Sequence, residues 1–228
     1  MDFTKIEIPA FHNVDTSNIA IEECNEKMIN LSDMKNERII FEPVYFNNGI
    51  SGAVKECYMR KTVYEKLCSA LEFLPQNFKF KVFDAWRPDE VQQHLFNKQV
   101  EKLINSQGIS VEEATEKAKL FVSFPSKDAK KPFVHSTGGA IDLTIVDENN
   151  NELDMGTGFD DFSEKAATNY YENSDETTIN NNRKLLYFVM INAGFTNYSA
   201  EWWHYDFGDA FWAFEKNQKA IYGGIFDI

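Results

Sequence analysis

The sequence is poor in several residue types that mark particular classes of protein. Only 3 of its 228 residues are cysteines, and Cys24, Cys57 and Cys68 form no Cys-x-x-Cys pair. Their odd number and spacing argue against a disulfide scaffold. No apolar run approaches the ~20 residues of a membrane-spanning helix, and the first residues lack the basic start and apolar stretch of a secretion signal. We therefore expect a cytoplasmic protein.

Basic residues are also scarce. The chain has 23 Lys and Arg against 36 Asp and Glu, a formal net charge of −13. A surface of that sign repels the phosphates of nucleic acids and of anionic membranes, so we expect neither as a partner. Hydrophobic residues, in contrast, make up 43% of the chain and include 20 Phe. That content is sufficient for a substantial core.

The pattern of apolar residues predicts one domain, 39–228, preceded by a mixed, charged N-terminal extension or arm, 1–38. Helices are predicted at 60–74, 88–104, 110–121 and 184–193, and strands at 78–83, 140–146 and 201–207. Since helices and strands do not alternate as in βαβ units, the predicted fold class is α+β. The long polar segment 153–182 has little periodicity and is typical of a functional loop.

The chain has only four histidines, and two of them stand in unusual surroundings. His12 and His94 are predicted to have surface or packing roles. His135 starts a Gly-rich turn, and Asp142 lies in the apolar strand that follows. A buried carboxylate needs a partner, and an imidazole nitrogen and a carboxylate oxygen both suit Zn²⁺. The alternative is a His that caps a turn and an Asp on a surface strand.

A second constellation is Glu201-Trp202-Trp203-His204. Side chains three apart on a strand point to opposite faces, but in a turn or bulge they converge. If His204 were a third ligand, a His₂Asp site would keep an open position for water. Glu201 could then act as general base on that water. Otherwise, the carboxylate starts a strand and the Trp pair is plain core.

The third constellation, Asp84-Ala85-Trp86-Arg87-Pro88, stands where a predicted strand turns into a helix. An Arg there could direct its guanidinium at a developing oxyanion. An Asp–Arg pair three apart is equally a common structural salt bridge.

Taken together, in order and approximate spacing, the three constellations resemble the zinc D-alanyl-D-alanine dipeptidase family, the VanX-type D,D-peptidases. The stretches 155–160 and 194–195 resemble that family too, and the likeness covers roughly 40–208. It implies a small central antiparallel sheet flanked by helices. It also implies hydrolysis of the D-Ala-D-Ala dipeptide to two D-alanines.

The resemblance assigns roles to particular residues. One Zn²⁺ per chain would be held by His135, Asp142 and His204. Glu201 would activate the water and later protonate the leaving amine, and Arg87 would stabilise the tetrahedral oxyanion.

The resemblance also implies a substrate-binding set. Asp160 would pair with the ammonium of the dipeptide, Asp84 would orient Arg87 or the substrate, and Tyr45 would line the pocket. The chain departs from the family at Phe133, where members usually carry a Ser that contacts substrate. Recognition of the amino end is therefore open.

Two other functions share the same metal site. One is a D,D-carboxypeptidase or cell-wall peptide hydrolase, which needs an open cleft. The other is a zinc-binding module without catalysis. The expected partner is a small dipeptide. The apolar tail after Gly208 is predicted to pack either on the core or on a second subunit, so a homodimer is one option.

Overall fold

The computed structural model describes residues 2–12, 14–119 and 121–228. Its strands are β1 (Met28–Asn30), β2 (Ile39–Phe41), β3 (Tyr58–Arg60), β4 (Lys79–Asp84), β5 (Ala140–Val146), β6 (Thr196–Asn197) and β7 (His204–Asp206). Its α-helices are α1 (Val44–Asn47), α2 (Lys61–Ala70), α3 (Asp89–Gln107), α4 (Val111–Ala118), α5 (Thr177–Asn192) and α6 (Ala210–Lys216). Among these residues, no helix is long and apolar enough to cross a membrane.

The central sheet has five strands in the order β2-β4-β5-β7-β6. Neighbouring strands are antiparallel, except that the edge strand β2 runs parallel to β4. A separate antiparallel ribbon joins β1 to β3. Helices flank these sheets without a repeated βαβ order, which confirms the predicted α+β class.

Strand β5 is the middle of the sheet and all seven of its residues are buried. A strand that is covered on both faces has a continuous apolar run instead of an alternating one. The segment 140–146 has that pattern apart from Asp142 and Thr144, and its predicted bounds are confirmed. A carboxylate that is buried at the centre of such a strand needs a charged or hydrogen-bonding partner.

Helix α5 begins earlier than the sequence predicts, so the loop predicted for 153–182 ends at Glu176. The first turn of α5 is rich in Thr and Asn, which are weak helix formers. Arg183 on this helix is buried and donates hydrogen bonds to backbone carbonyls of Met155 and Ala167. These tertiary contacts override the weak local preference.

The C-terminal tail packs on the core. Trp212 and Tyr222 are buried in the main apolar cluster, beside the sheet. The Trp86 indole N–H donates to the Ile225 carbonyl at 2.8 Å. Of the two predictions for the tail, these contacts confirm packing on the core.

The N-terminal arm lies against the domain in its described part. Ile8 and Leu31 are buried, and β1 pairs with β3. Residues 9–12 and 14–20 have no regular secondary structure.

Candidate active site

A row of polar side chains crosses three adjacent strands. Asp142 on β5 lies opposite Asp84 on β4 and opposite His204 on β7. Directly opposed residues on antiparallel strands present their side chains on the same face. A β-bulge between Val82 and Asp84 shifts the register and brings Asp84 into the row. The sheet therefore aligns the three side chains although they are far apart in sequence.

The Gly-rich turn brings His135 to the same row. Gly138 has φ +69°, a left-handed conformation that favours glycine. At Gly139 a Cβ would stand 2.5 Å from the Phe207 carbonyl oxygen, so only glycine lets the chain pass β7. The ring Nε2 of His135 ends 3.3 Å from Asp142 Oδ2.

The tautomer of His135 follows from its hydrogen bond. Its Nδ1 lies 2.7 Å from the carbonyl oxygen of Ala85. A carbonyl can only accept, so Nδ1 carries a hydrogen, and in the neutral ring the lone pair is on Nε2. Nε2 is the atom that faces Asp142.

His204 lies between two carboxylates. Its Nδ1 is 2.9 Å from Asp142 Oδ1 and its Nε2 is 2.9 Å from Asp206 Oδ1. A carboxylate behind a metal-ligating His usually accepts its second N–H and fixes the ring. Burial opposes a proton on His204, but Asp206 and Asp142 raise its pKa, so a metal would displace a proton from Nδ1.

Sequence reasoning missed Asp206. The available signal was its position two residues after His204, because alternate residues of a strand share a face. Asp206 is buried, and burial together with its charge raises the pKa of neighbouring Asp209 well above the usual range. The acid pair thus forms a buried support behind His204.

The donor set fits zinc. One ligand atom each from His135, Asp142 and His204 lies within 4.8 Å of the others, and all three residues are buried. Burial would favour the neutral acid, but the two imidazoles lower the pKa of Asp142 below its usual range. Two imidazoles and one ionised carboxylate are a set found in catalytic zinc sites, which keep a fourth position open.

Glu201 reaches the site through a turn. The predicted strand 201–207 begins only at His204, because residues 201–203 form a turn in which the His204 N–H bonds to the Glu201 carbonyl at 3.3 Å. Glu201, His135 and His204 all line one cavity of about 360 Å³. Burial raises the pKa of Glu201 to about 8.

Arg87 has a partner for each guanidinium nitrogen. Nε donates to Asp84 Oδ2 at 2.7 Å and Nη1 to Gln92 Oε1 at 2.8 Å. Nη2 donates to the Tyr45 hydroxyl at 3.1 Å. Gln92, which sequence reasoning did not single out, also donates to the Ser123 carbonyl. These bonds hold Arg87 at the cavity wall in one orientation.

Asp160, Tyr45 and Asp84 are the residues predicted to bind substrate. The Tyr45 hydroxyl donates to Asp160 Oδ1 at 3.3 Å, and Asp160 has φ +60°, a conformation rare for non-glycine residues. Asp160 lines the cavity, whereas Tyr45 and Asp84 contact Arg87. Burial raises the pKa of Asp160 to about 7.

Comparison with known proteins gives the chain its relatives. The family model for D-Ala-D-Ala dipeptidases matches residues 47–221. A D-alanyl-D-alanine dipeptidase of Synechocystis is 30% identical over 224 residues, which is 88% of this chain and 90% of the relative. One from Escherichia coli is 45% identical over 76 residues, 33% of this chain and 38% of that protein.

The chain belongs to the D-Ala-D-Ala dipeptidase family. It is therefore an enzyme, a zinc metallopeptidase. A solved structure described as VanYB in complex with D-alanine-D-alanine is also similar, at 16% identity and a TM-score of 0.45 over 72% of this chain and 81% of that one.

Phe133, the departure from the usual family residue, lies in the wall of this family site. Its side chain is buried, lines the cavity, and has its ring centroid 6.4 Å from that of Phe226 in the tail. An aromatic ring makes this part of the wall apolar.

Proposed function

We propose that this dipeptidase-family enzyme hydrolyses D-Ala-D-Ala to two D-alanines. The observation that carries the proposal is one small cavity in which the metal donors, Glu201, Arg87 and Asp160 all lie together. At about 360 Å³ it is near the lower end of ligand pockets, ~300–1,000 Å³. The metal donors and Glu201 serve the scissile bond, Arg87 a developing oxyanion, and Asp160 the ammonium.

The proposed ligands are His135 Nε2, a carboxylate oxygen of Asp142 and His204 Nδ1, since the second nitrogen of each imidazole is engaged elsewhere. Bound there, zinc supplies positive charge that polarises the scissile carbonyl and acidifies a water.

Glu201 is the proposed general base. It takes a proton from the attacking water and returns it to the amine that leaves when the C–N bond breaks. A carboxyl whose pKa lies near neutrality suits both transfers. Its place on the turn before β7 puts it in the same cavity as His135 and His204.

Arg87 is the proposed partner of the oxyanion. Its charge is fixed, and Asp84, Gln92 and Tyr45 hold its fork in place before substrate arrives. Donors that are oriented in advance need no rearrangement when the oxyanion forms.

Asp160 is the proposed site for the free ammonium of the dipeptide. A cation beside it would favour its ionised form. This pairing distinguishes a free dipeptide from the carboxyl terminus of a longer peptide, whose corresponding nitrogen is an uncharged amide.

We also propose that the enzyme acts in the cytoplasm. The support is that Cys24, Cys57 and Cys68 are all free thiols, with Cys24 exposed. Localisation by cell fractionation would test this, and sedimentation of the purified protein would test the homodimer.

The function is tested by D-alanine release from D-Ala-D-Ala by the zinc-loaded protein, with L-Ala-L-Ala and a pentapeptide ending in D-Ala-D-Ala in parallel. We expect release from the D,D-dipeptide alone. Release from the pentapeptide would instead show a D,D-carboxypeptidase. No release from any of them, with zinc bound, would overturn the proposed substrate and favour either a different substrate or a non-catalytic module.

A further inference from the structure

The N-terminal arm is fixed on either side of the stretch that approaches the active site. On one side Ile8 is buried and its N–H donates to Glu172 Oε1 at 3.0 Å. On the other, the Glu22 N–H donates to the Ala220 carbonyl at 2.8 Å. The described residues between these anchors, 9–12 and 14–21, are therefore tied to the domain at both ends.

Two residues between the anchors enter the cavity wall. Val14 and Thr16 line the same cavity as Glu201 and His204. Both are half-buried, whereas Asp15 between them is exposed. This alternation is that of an extended segment with one face toward the pocket and one toward solvent.

Further contacts connect the arm to the metal donors and to α6. The Phe11 ring meets the Tyr198 ring edge-on at 5.9 Å between centroids. Tyr198 in turn meets the His204 ring at 6.1 Å. The His12 Nε2 lies 2.7 Å from Glu215 Oε1 on α6. The arm thus contacts the site from outside as well as lining it.

We propose that Val14 and Thr16 form an outer wall of the substrate pocket and restrict the enzyme to peptides of two residues. The inference rests on the proposed function, because it concerns the pocket that binds D-Ala-D-Ala. A third residue would need the volume that these two side chains occupy. They come from a segment outside the matched family region, 47–221.

The experiment compares D-Ala-D-Ala with tri-D-alanine, which keeps both charged ends and adds one residue. The double variant Val14→Gly/Thr16→Gly should raise kcat/KM for the tripeptide, relative to the dipeptide, tenfold or more. Val14→Trp should lower the same ratio. Thr4→Gly is the matched control, because Thr4 is exposed on the arm before Ile8, and it should leave the ratio within twofold.

Zinc content and melting temperature are measured for every variant, so a folding defect is separated from a change in selectivity. If the double variant does not fold, the single variants Val14→Gly and Thr16→Gly decide, and each should raise the same ratio. A ratio that stays within twofold of the parent in each folded variant would overturn the role of the arm while leaving the dipeptidase intact. Absence of D-Ala-D-Ala turnover in the parent would overturn the proposed function and the arm's role with it.

Discussion

The two sides of the cavity are built in different ways. The metal donors Asp142 and His204 lie on paired central strands, are fully buried, and have hydrogen-bond partners on several sides. Val14 and Thr16 come from an irregular segment that is half exposed and fixed only at intervals. Chemistry that requires atoms fixed to within about 0.5 Å is placed on the sheet. On our proposal, substrate size is set by a segment whose side chains can change without moving the metal donors.

The largest effect is expected from Glu201→Gln, on the turn that leads into β7. The amide keeps the shape of the side chain but cannot take a proton from water, so kcat for D-Ala-D-Ala should fall ~10²–10⁴-fold. Bound zinc, measured by atomic absorption, should remain at the parent level because Glu201 is not in the donor set.

Glu164→Gln is the matched control, since Glu164 is exposed, and it should keep full turnover. Parent-like kcat in Glu201→Gln would remove Glu201 from the mechanism.

The next effect tests the support behind His204. Asp206→Asn keeps an oxygen that accepts the Nε2 hydrogen but removes the charge that strengthens the ligand. Zinc affinity, measured by competition with a chelator, should fall ~10–100-fold. The same substitution at exposed Asp33 should leave affinity unchanged. Equal affinities in both variants would mean that Asp206 does not act through the ring.

A pair of glycine substitutions probes how rigidly the sheet holds the donors. In Gly139→Ala the new Cβ would stand 2.5 Å from a backbone oxygen of Phe207, just after β7. We expect a loss of ~1–3 kcal/mol in the free energy of unfolding, as for other overpacked sites. Gly158→Ala is the control, because nothing lies within 4 Å of its Cβ. Equal stabilities by urea denaturation would show that this part of the sheet gives way easily.

The same contrast explains what the sequence could predict. Local periodicity predicts the strand 140–146 and the helices α2 and α3, because each of these elements has its own pattern of buried apolar residues. The α+β class follows from the order of such elements along the chain. The site residues formed recognisable motifs because His, Asp and Glu among apolar residues are expected only where a partner such as a metal ion or an opposite charge offsets their burial.

Other features depend on contacts that no local pattern contains. Gln92 is such a feature, because only its contacts with Arg87 and with the Ser123 carbonyl give it a place at the site. The early start of α5 depends on Arg183, which bonds carbonyls 16 to 28 residues away in sequence. The path of the arm across the cavity has no periodic signal, because an irregular segment follows the surface beneath it.

The smallest effect concerns the attachment of the arm to α6. The hydrogen bond to Glu215 is the largest influence on the pKa of His12 and raises it above 6.5, while burial of the ring acts in the opposite direction. A raised pKa means that the pairing contributes fully below the unfolded-state pKa and fades as pH rises through the folded-state value. The effect is small because both side chains are partly exposed. An NMR titration of His12 should give a midpoint above 6.5, and Glu215→Gln should lower it. A parent midpoint at or below 6.5 would mean that the arm is not held by this pair in solution, and the contrast between a fixed sheet and a detachable wall would sharpen.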